Sequence, residues 1–203
     1  MTVPGNLSSP LLATATAAAA ADAAYVIPKS LRFNDSDSAY LSKTFSTAGN
    51  RRTWTFSVWV KRCELGTTDD LFNSGGNSSQ ARSELRFKAD DTITIGFNPT
   101  GSTWYNCTTS AVFRDPSAWY HIVVACDTTQ STSTNRLKLY VNGVLQTFGS
   151  SSFVSQNTEL PVNGSTYPHS IGRYQSGASS YFDGLMADVQ FVDGQALAPT
   201  DFG

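Results

Sequence analysis

The chain has 203 residues, a formal net charge of −2 and 15% charged side chains, against about 25% in an average domain. Its densest basic runs are the pairs Arg51-Arg52 and Lys61-Arg62, which excludes the concentrated positive face that nucleic acid requires. No stretch approaches the ~18 continuous apolar residues of a spanning helix, which excludes membrane insertion by that route.

Ser, Thr, Asn and Gly take the place of the missing charge, a composition that suits strands and long polar loops better than a helical bundle or a disordered chain. Residues 1–29 differ from the rest. They carry no Lys or Arg before Lys29, so they lack the positive start of a secretory signal. Leu11 to Ala24 is Ala-rich and favours a short helix, marginal on its own in water. The segment therefore reads either as a disordered tail or as an arm that orders on a neighbouring subunit or scaffold.

From Ser30 onward the pattern is β. Leu31 and Phe33 alternate with polar residues and open the domain. In residues 52–61, Trp54, Phe56, Val58 and Val60 share one face, while Thr53, Thr55, Ser57, Trp59 and Lys61 share the other; that is a half-buried sandwich strand. Leu85 and Phe87 belong to one short strand and Ile93, Ile95 and Phe97 to the next, with Ala89-Asp90-Asp91 as the turn. Trp119 to Cys126 is apolar on both faces and predicts a central strand, preceded by the turn Asp115-Pro116-Ser117. Leu137, Leu139 and Val141 face inward in the next strand. Asn142-Gly143 then predicts a type I′ hairpin, because that turn needs positive φ twice. Leu185, Ala187, Val189 and Phe191 alternate after Asp183-Gly184. Together these elements predict an all-β, antiparallel two-sheet jelly-roll sandwich over residues 30–203, with an extended or partly helical N-terminal arm over residues 1–29.

The cysteines Cys63, Cys107 and Cys126 are odd in number and widely spaced, unlike a zinc or redox motif. Cys126 ends an apolar strand and is expected to be a buried free thiol; a Cys63–Cys107 bridge is the alternative for the other two.

The segments LRFNDSDSAYLS, WTFSVWVK, AWYHIVVACD, LKLYVNGVLQ and FDGLMADVQFVDGQAL, in this order and spacing, resemble a laminin-G-like domain of the concanavalin A-like jelly-roll superfamily over residues 30–203. SLRFNDSDSAYLSKTF and VDGQALAPTDFG are similar to modules in marine and cyanobacterial phage tail-fibre and virion structural proteins. That resemblance implies a virion protein: a fibre, spike or decoration component on the phage particle surface. Its N-terminal arm would anchor it, and its partners would be other virion proteins and copies of itself in a homo-oligomer. A carbohydrate-binding adhesin or lectin, on the phage or on a bacterial surface or secreted, is the alternative, with a host-surface glycan as ligand.

Catalysis is not expected. Glycoside hydrolases need two carboxylates flanking the scissile bond. Of Glu64, Glu84 and Glu159, Glu84 alone lies in a predicted strand, with no acidic neighbour at i+2 or i+4. His121 reads as a core or sheet-face imidazole and His169 as the point where a loop re-enters a strand. No cofactor is implied beyond calcium. The resemblance allows one such ion at the sandwich rim, with Asp35, Asp37, Asp69, Asp70, Asp90 and Asp91 as candidates; Asp-rich turns also form without metal. For glycan or partner contact the candidates are Trp104, Tyr105 and Asn106 in one polar stretch, and Arg173, Tyr174 and Tyr181 in another, because aromatic faces beside amides and guanidinium groups serve both uses.

Overall fold

In the computed structural model, residues 27–76, 80–175 and 179–202 are described. The Ala-rich stretch Leu11–Ala24 and most of the arm lie outside the described residues.

Among the described residues, thirteen strands form two antiparallel sheets. The six-stranded sheet runs β1 (Leu31–Phe33), β13 (Gly184–Asp193), β3 (Thr53–Arg62), β8 (Tyr120–Asp127), β9 (Leu137–Val141), β10 (Val144–Leu145). The seven-stranded sheet runs β11 (Phe148–Ser151), β7 (Tyr105–Thr109), β6 (Ile93–Asn98), β5 (Arg82–Phe87), β4 (Asp69–Gly75), β12 (His169–Ile171), β2 (Leu41–Lys43). This is the predicted sandwich.

Between the sheets lies one core. Trp54, Phe56, Val58 and Val60 of β3 meet Phe72, Leu85, Phe87, Ile95 and Phe97 of the opposite sheet. Phe56 stacks on Phe72 at 4.6 Å between centroids, and Trp54 packs edge-on to Phe97 at 6.3 Å; aromatic pairs at such distances add to their burial. β8 is central, bonded to β3 and β9, and seven of its eight residues are buried. At the β9–β10 turn, Asn142 and Gly143 have φ of 50° and 78°, as type I′ geometry requires.

β13 departs from the simple alternation read in the sequence. A bulge between Ala187 and Gln190 shifts the register, so Met186 is buried whereas Val189 is exposed. Such an extra residue flips the side chains that follow it to the other face. The outer face of the six-stranded sheet is closed by the chain's own C-terminal stretch. Thr55 Oγ1 donates to the Gln195 carbonyl (2.7 Å) and accepts from the Leu197 N–H (2.8 Å), and Phe202 packs edge-on to His121. His121 in turn stacks flat on Trp59 at 4.7 Å and bonds Ser57, a sheet-face imidazole.

All three cysteines are free. Cys107 and Cys126 are buried and Cys63 is exposed, so the Cys63–Cys107 alternative gives way: Cys63 follows the end of β3 in one sheet, Cys107 lies within β7 of the other, and Cys63 instead accepts from Arg32 (2.9 Å). Burial pushes the Cys107 thiol up to about 11.

Candidate functional site: the outer face of the seven-stranded sheet

Strand alternation decides what this face presents. In β5, Leu85 and Phe87 point into the core, so Arg82, Glu84 and Arg86 point outward. Register then lines up Ser42, Ser170, Asn73, Glu84, Gly96 and Asn106 across six neighbouring strands, from β2 to β7. Beside this polar row, Arg82 is opposite Asn98, and Asp70, Arg86, Thr94 and Thr108 form a parallel one.

Two aromatic rings frame the row. The Arg82 guanidinium lies over Trp104 at 4.6 Å, and that of Arg86 over Tyr174 at 5.0 Å, both cation–π geometries. Gly96 makes room for the first ring. A Cβ there would lie 2.7 Å from Asn106 Oδ1, 2.9 Å from Glu84 Cγ and 2.9 Å from Trp104 Cζ3. Three site residues thus meet over a glycine, where any side chain would intrude.

Charges on this face are paired laterally. Arg86 Nη2 donates to Glu84 Oε2 and lies 3.4 Å from Asp70 Oδ1. Gln175 Oε1 accepts from Ser170 Oγ and, at 3.1 Å, from Arg173 Nη2, and Arg173 covers Tyr40 at 3.5 Å. Burial pushes the Asp70 carboxyl well above the usual carboxylate range, against the pull of Arg86, and it raises Glu84 as well.

Of the residues singled out in the sequence, Trp104, Asn106, Arg173 and Tyr174 come together here, although about 70 positions separate the two stretches. Tyr105 does not join them. It begins β7 and packs against the core, because consecutive strand residues face opposite ways. Tyr181 lies beside the face, tilted against Tyr40 at 6.5 Å. As members of this face, Asp70, Asn73, Arg82, Glu84, Arg86, Gly96 and Gln175 were missed, Asp70 having been weighed for calcium and Glu84 for catalysis. A signal existed for three of them: in RSELRF the charges fall at i, i+2 and i+4.

Glu84 does have an acidic companion, Asp70, which is on the adjacent strand and invisible to a scan along one strand. Both carboxylates contact the same arginine nitrogen, and Asp70 is 0% exposed.

The calcium candidates are dispersed. Asp35 and Asp37 bond within their own turn, and Asp90 binds Lys88 and Thr92. Asp69 and Asp91 do converge, on a cation the chain supplies. Arg62, fully buried, lies 3.0 Å from Asp91 Oδ1 and 3.6 Å from Asp69 Oδ2, donates to the Phe113 carbonyl (2.9 Å) and covers Phe87 at 4.3 Å. Among the described residues, no three His, Cys, Asp or Glu gather as a metal site. A calcium ion would compete with Arg62 for these carboxylates, so the residues do not fit one. No helix among the described residues is long and apolar enough to cross a membrane.

A two-sheet sandwich with a polar, aromatic-framed sheet face defines the lectin-like class of β domain. The chain belongs to the concanavalin A-like lectin/glucanases superfamily, its Laminin_G_3 model matching residues 33–201. No curated protein sequence matches the chain. Among solved structures it is similar to the Ruminococcus gnavus IT-sialidase CBM40, solved bound to alpha2,3 sialyllactose. The identity is 13%, over 81% of this chain and 96% of that one, with a TM-score of 0.58. It is also similar to the LG1-3 region of the laminin alpha2 chain, at 10% identity over 86% and 33% of the two chains with a TM-score of 0.61. The native heptameric SAP-like pentraxin from Limulus polyphemus is a third, at 16% identity over 75% and 68% with a TM-score of 0.52. These likenesses establish the fold.

Proposed function

We propose that this chain is a non-enzymatic binding domain that holds a glycan on the outer face of its seven-stranded sheet. We propose further that it serves on a phage virion, as a fibre, spike or decoration component docked through residues 1–29. The observation that carries the glycan reading is the convergence of Trp104, Asn106, Glu84, Arg82, Arg86 and Tyr174 on one sheet face. Aromatic rings beside amides and fixed charges are what a sugar's apolar ring face and hydroxyl rim require. The R. gnavus CBM40, a neighbour in fold, was solved with a bound sialyllactose, which supports this use of the scaffold.

The non-enzymatic half is supported by Asp70. A carboxylate with no exposed surface, tied with Glu84 to one arginine, is out of reach of a scissile bond. The virion half rests on the wording of residues 30–45 and 192–203, and a secreted or cell-surface bacterial adhesin is its alternative. Copies of the same chain and other virion proteins are the partners this reading implies.

A glycan array on the purified chain, run with calcium and then with chelator, tests the first half. Specific binding that survives chelation is expected, since Arg62 takes the carboxylate pair. A blank array from folded protein would sink the glycan reading and favour a purely structural role. For the second half, deleting residues 1–29 should leave melting within a few degrees of the full chain, because β1 begins at Leu31, yet abolish incorporation into particles. A truncated chain that fails to fold would make the arm part of the core instead.

A further inference from the structure

We infer that the gap between the two sheets, where β2 faces the second half of β13, binds a medium-chain aliphatic carboxylate, its tail among phenylalanines and its head at Lys43. This site is separate from the outer sheet face and does not rest on the glycan reading.

The gap follows from unequal strand lengths. β1 pairs only with Gly184, Leu185 and Met186 of the ten-residue β13. Farther along, β13 has β3 on one side and, among the described residues, no strand on the other. Across the sandwich, the seven-stranded sheet ends in β2, whose three residues are all exposed. A cavity of about 240 Å³ opens between these two margins.

Its lining is almost wholly apolar. Phe56, Phe72 and His169 make up its buried part, while Leu41, Phe45, Ile171, Val189 and Phe191 line it with surface that solvent reaches. Leu41 is 50% and Val189 37% exposed. One exposed aliphatic side chain is ordinary, but several gathered around one hollow mark a binding surface. His169 is fixed in place, since its Nε2 accepts from the Asn163 N–H (2.9 Å), and burial lowers its pKa to about 4, so it is neutral at pH 7.

The volume sets the length of the tail. A dry apolar cavity of about 150 Å³ takes benzene, so this one takes about nine or ten carbons in proportion.

Lys43 sets the head. It lines the same hollow, stands opposite His169 in the β2–β12 ladder, and holds its ammonium 5.5 Å from the centre of the Phe45 ring. Among the described residues it has no carboxylate partner, and no acidic side chain lines the hollow. The complementary ligand is an apolar chain ending in one negative charge: the tail leaves water and the head meets an unpaired cation.

The test is calorimetric titration of the full chain with straight-chain carboxylates from butanoate to dodecanoate, each below its micelle concentration, with the matching alcohols as neutral probes. Affinity should rise about threefold per added methylene and level off at about nine or ten carbons, where the cavity is full. The tightest ligand should raise the melting temperature by mass action. At low salt the carboxylate should bind about threefold to fivefold tighter than the alcohol of equal length, a margin that disappears in Lys43→Gln. Val189→Trp should fill the mouth and lower affinity at least about tenfold, while its melting without ligand stays within a few degrees of wild type. A chain-length series with neither heat nor a melting shift overturns the inference. Alcohol binding as tightly as carboxylate overturns the anionic head, and undiminished binding in Val189→Trp overturns the place. The glycan array is unaffected by any of these results.

Discussion

Replacing Arg62 with Ala should lower stability by about 3–5 kcal/mol, the range for breaking a buried ion pair, and melting by roughly 6–20 °C for a domain of this size. The guanidinium has no exposed surface and joins Asp69 near the start of β4 to Asp91 in the β5–β6 turn and to the Phe113 carbonyl. Removing it leaves the Asp69 carboxylate without a cation in a dry end of the sandwich, while Asp91 keeps Arg114 and the Gly66 N–H. Arg62→Met fills much of the volume and should fare little better, since the carboxylates remain. Combining it with Asp69→Asn and Asp91→Asn should recover part of the loss, because the whole charged group is then gone. Differential scanning calorimetry of the three variants decides it, and an Arg62→Ala protein melting within about 2 °C of wild type contradicts the account.

The same cluster has a pH signature. Burial raises the Asp69 carboxyl from 3.8 to about 6 in the folded chain, against the pull of Thr67 and Arg62. Between those values the folded state holds more protons than the unfolded one, so this group's contribution makes stability fall as pH rises across the window. Asp91 acts in the opposite sense and below it, since the Gly66 N–H, Arg114 and Arg62 hold its carboxyl down against burial. In urea titrations, Asp69→Asn should therefore gain on wild type as pH rises from about 4 to about 6.

If the proposed glycan site is right, Gly96→Val should weaken glycan binding while sparing the fold. The new Cβ would meet Asn106 Oδ1, Glu84 Cγ and Trp104 Cζ3, all side-chain atoms that can swing outward, and valine is at home in a strand. Melting should stay within a few degrees. Affinity for the tightest glycan on the array should drop about a hundredfold, or ~2.7 kcal/mol, because Trp104 loses its seat and Asn106 its position. Calorimetric titration of the variant is the check, and retained affinity would move the binding surface elsewhere.

The elements that organise the core were legible in the sequence because each carries its own signal. β3 alternates over ten residues, β8 is apolar on both sides, and Asn142-Gly143 has one favoured turn. β4 was not legible. Its sequence, DDLFNSG, has a register shift between Asp70 and Phe72, so the alternation breaks where it would be read. The site was half legible for a similar reason. Trp104 and Tyr174 announced themselves as aromatics in polar stretches, but Tyr105 was assigned to a loop before strand parity turned it inward. The Glu84–Asp70 pair depends on which strands are neighbours, and a periodicity taken along one strand does not contain that information.

Parity along β5 has a consequence for how such a domain can change. Arg82, Glu84 and Arg86 point away from the core, while the interleaved Leu85 and Phe87 lie in it; β6 repeats the division with Ile93, Ile95 and Phe97 inward. Outward polarity and inward packing are thus written on alternate letters of the same words. Substitution at the outward, solvent-reached positions 104, 106 and 108 therefore leaves every inward letter in its place, so this edge of the sheet can vary without the core being repacked.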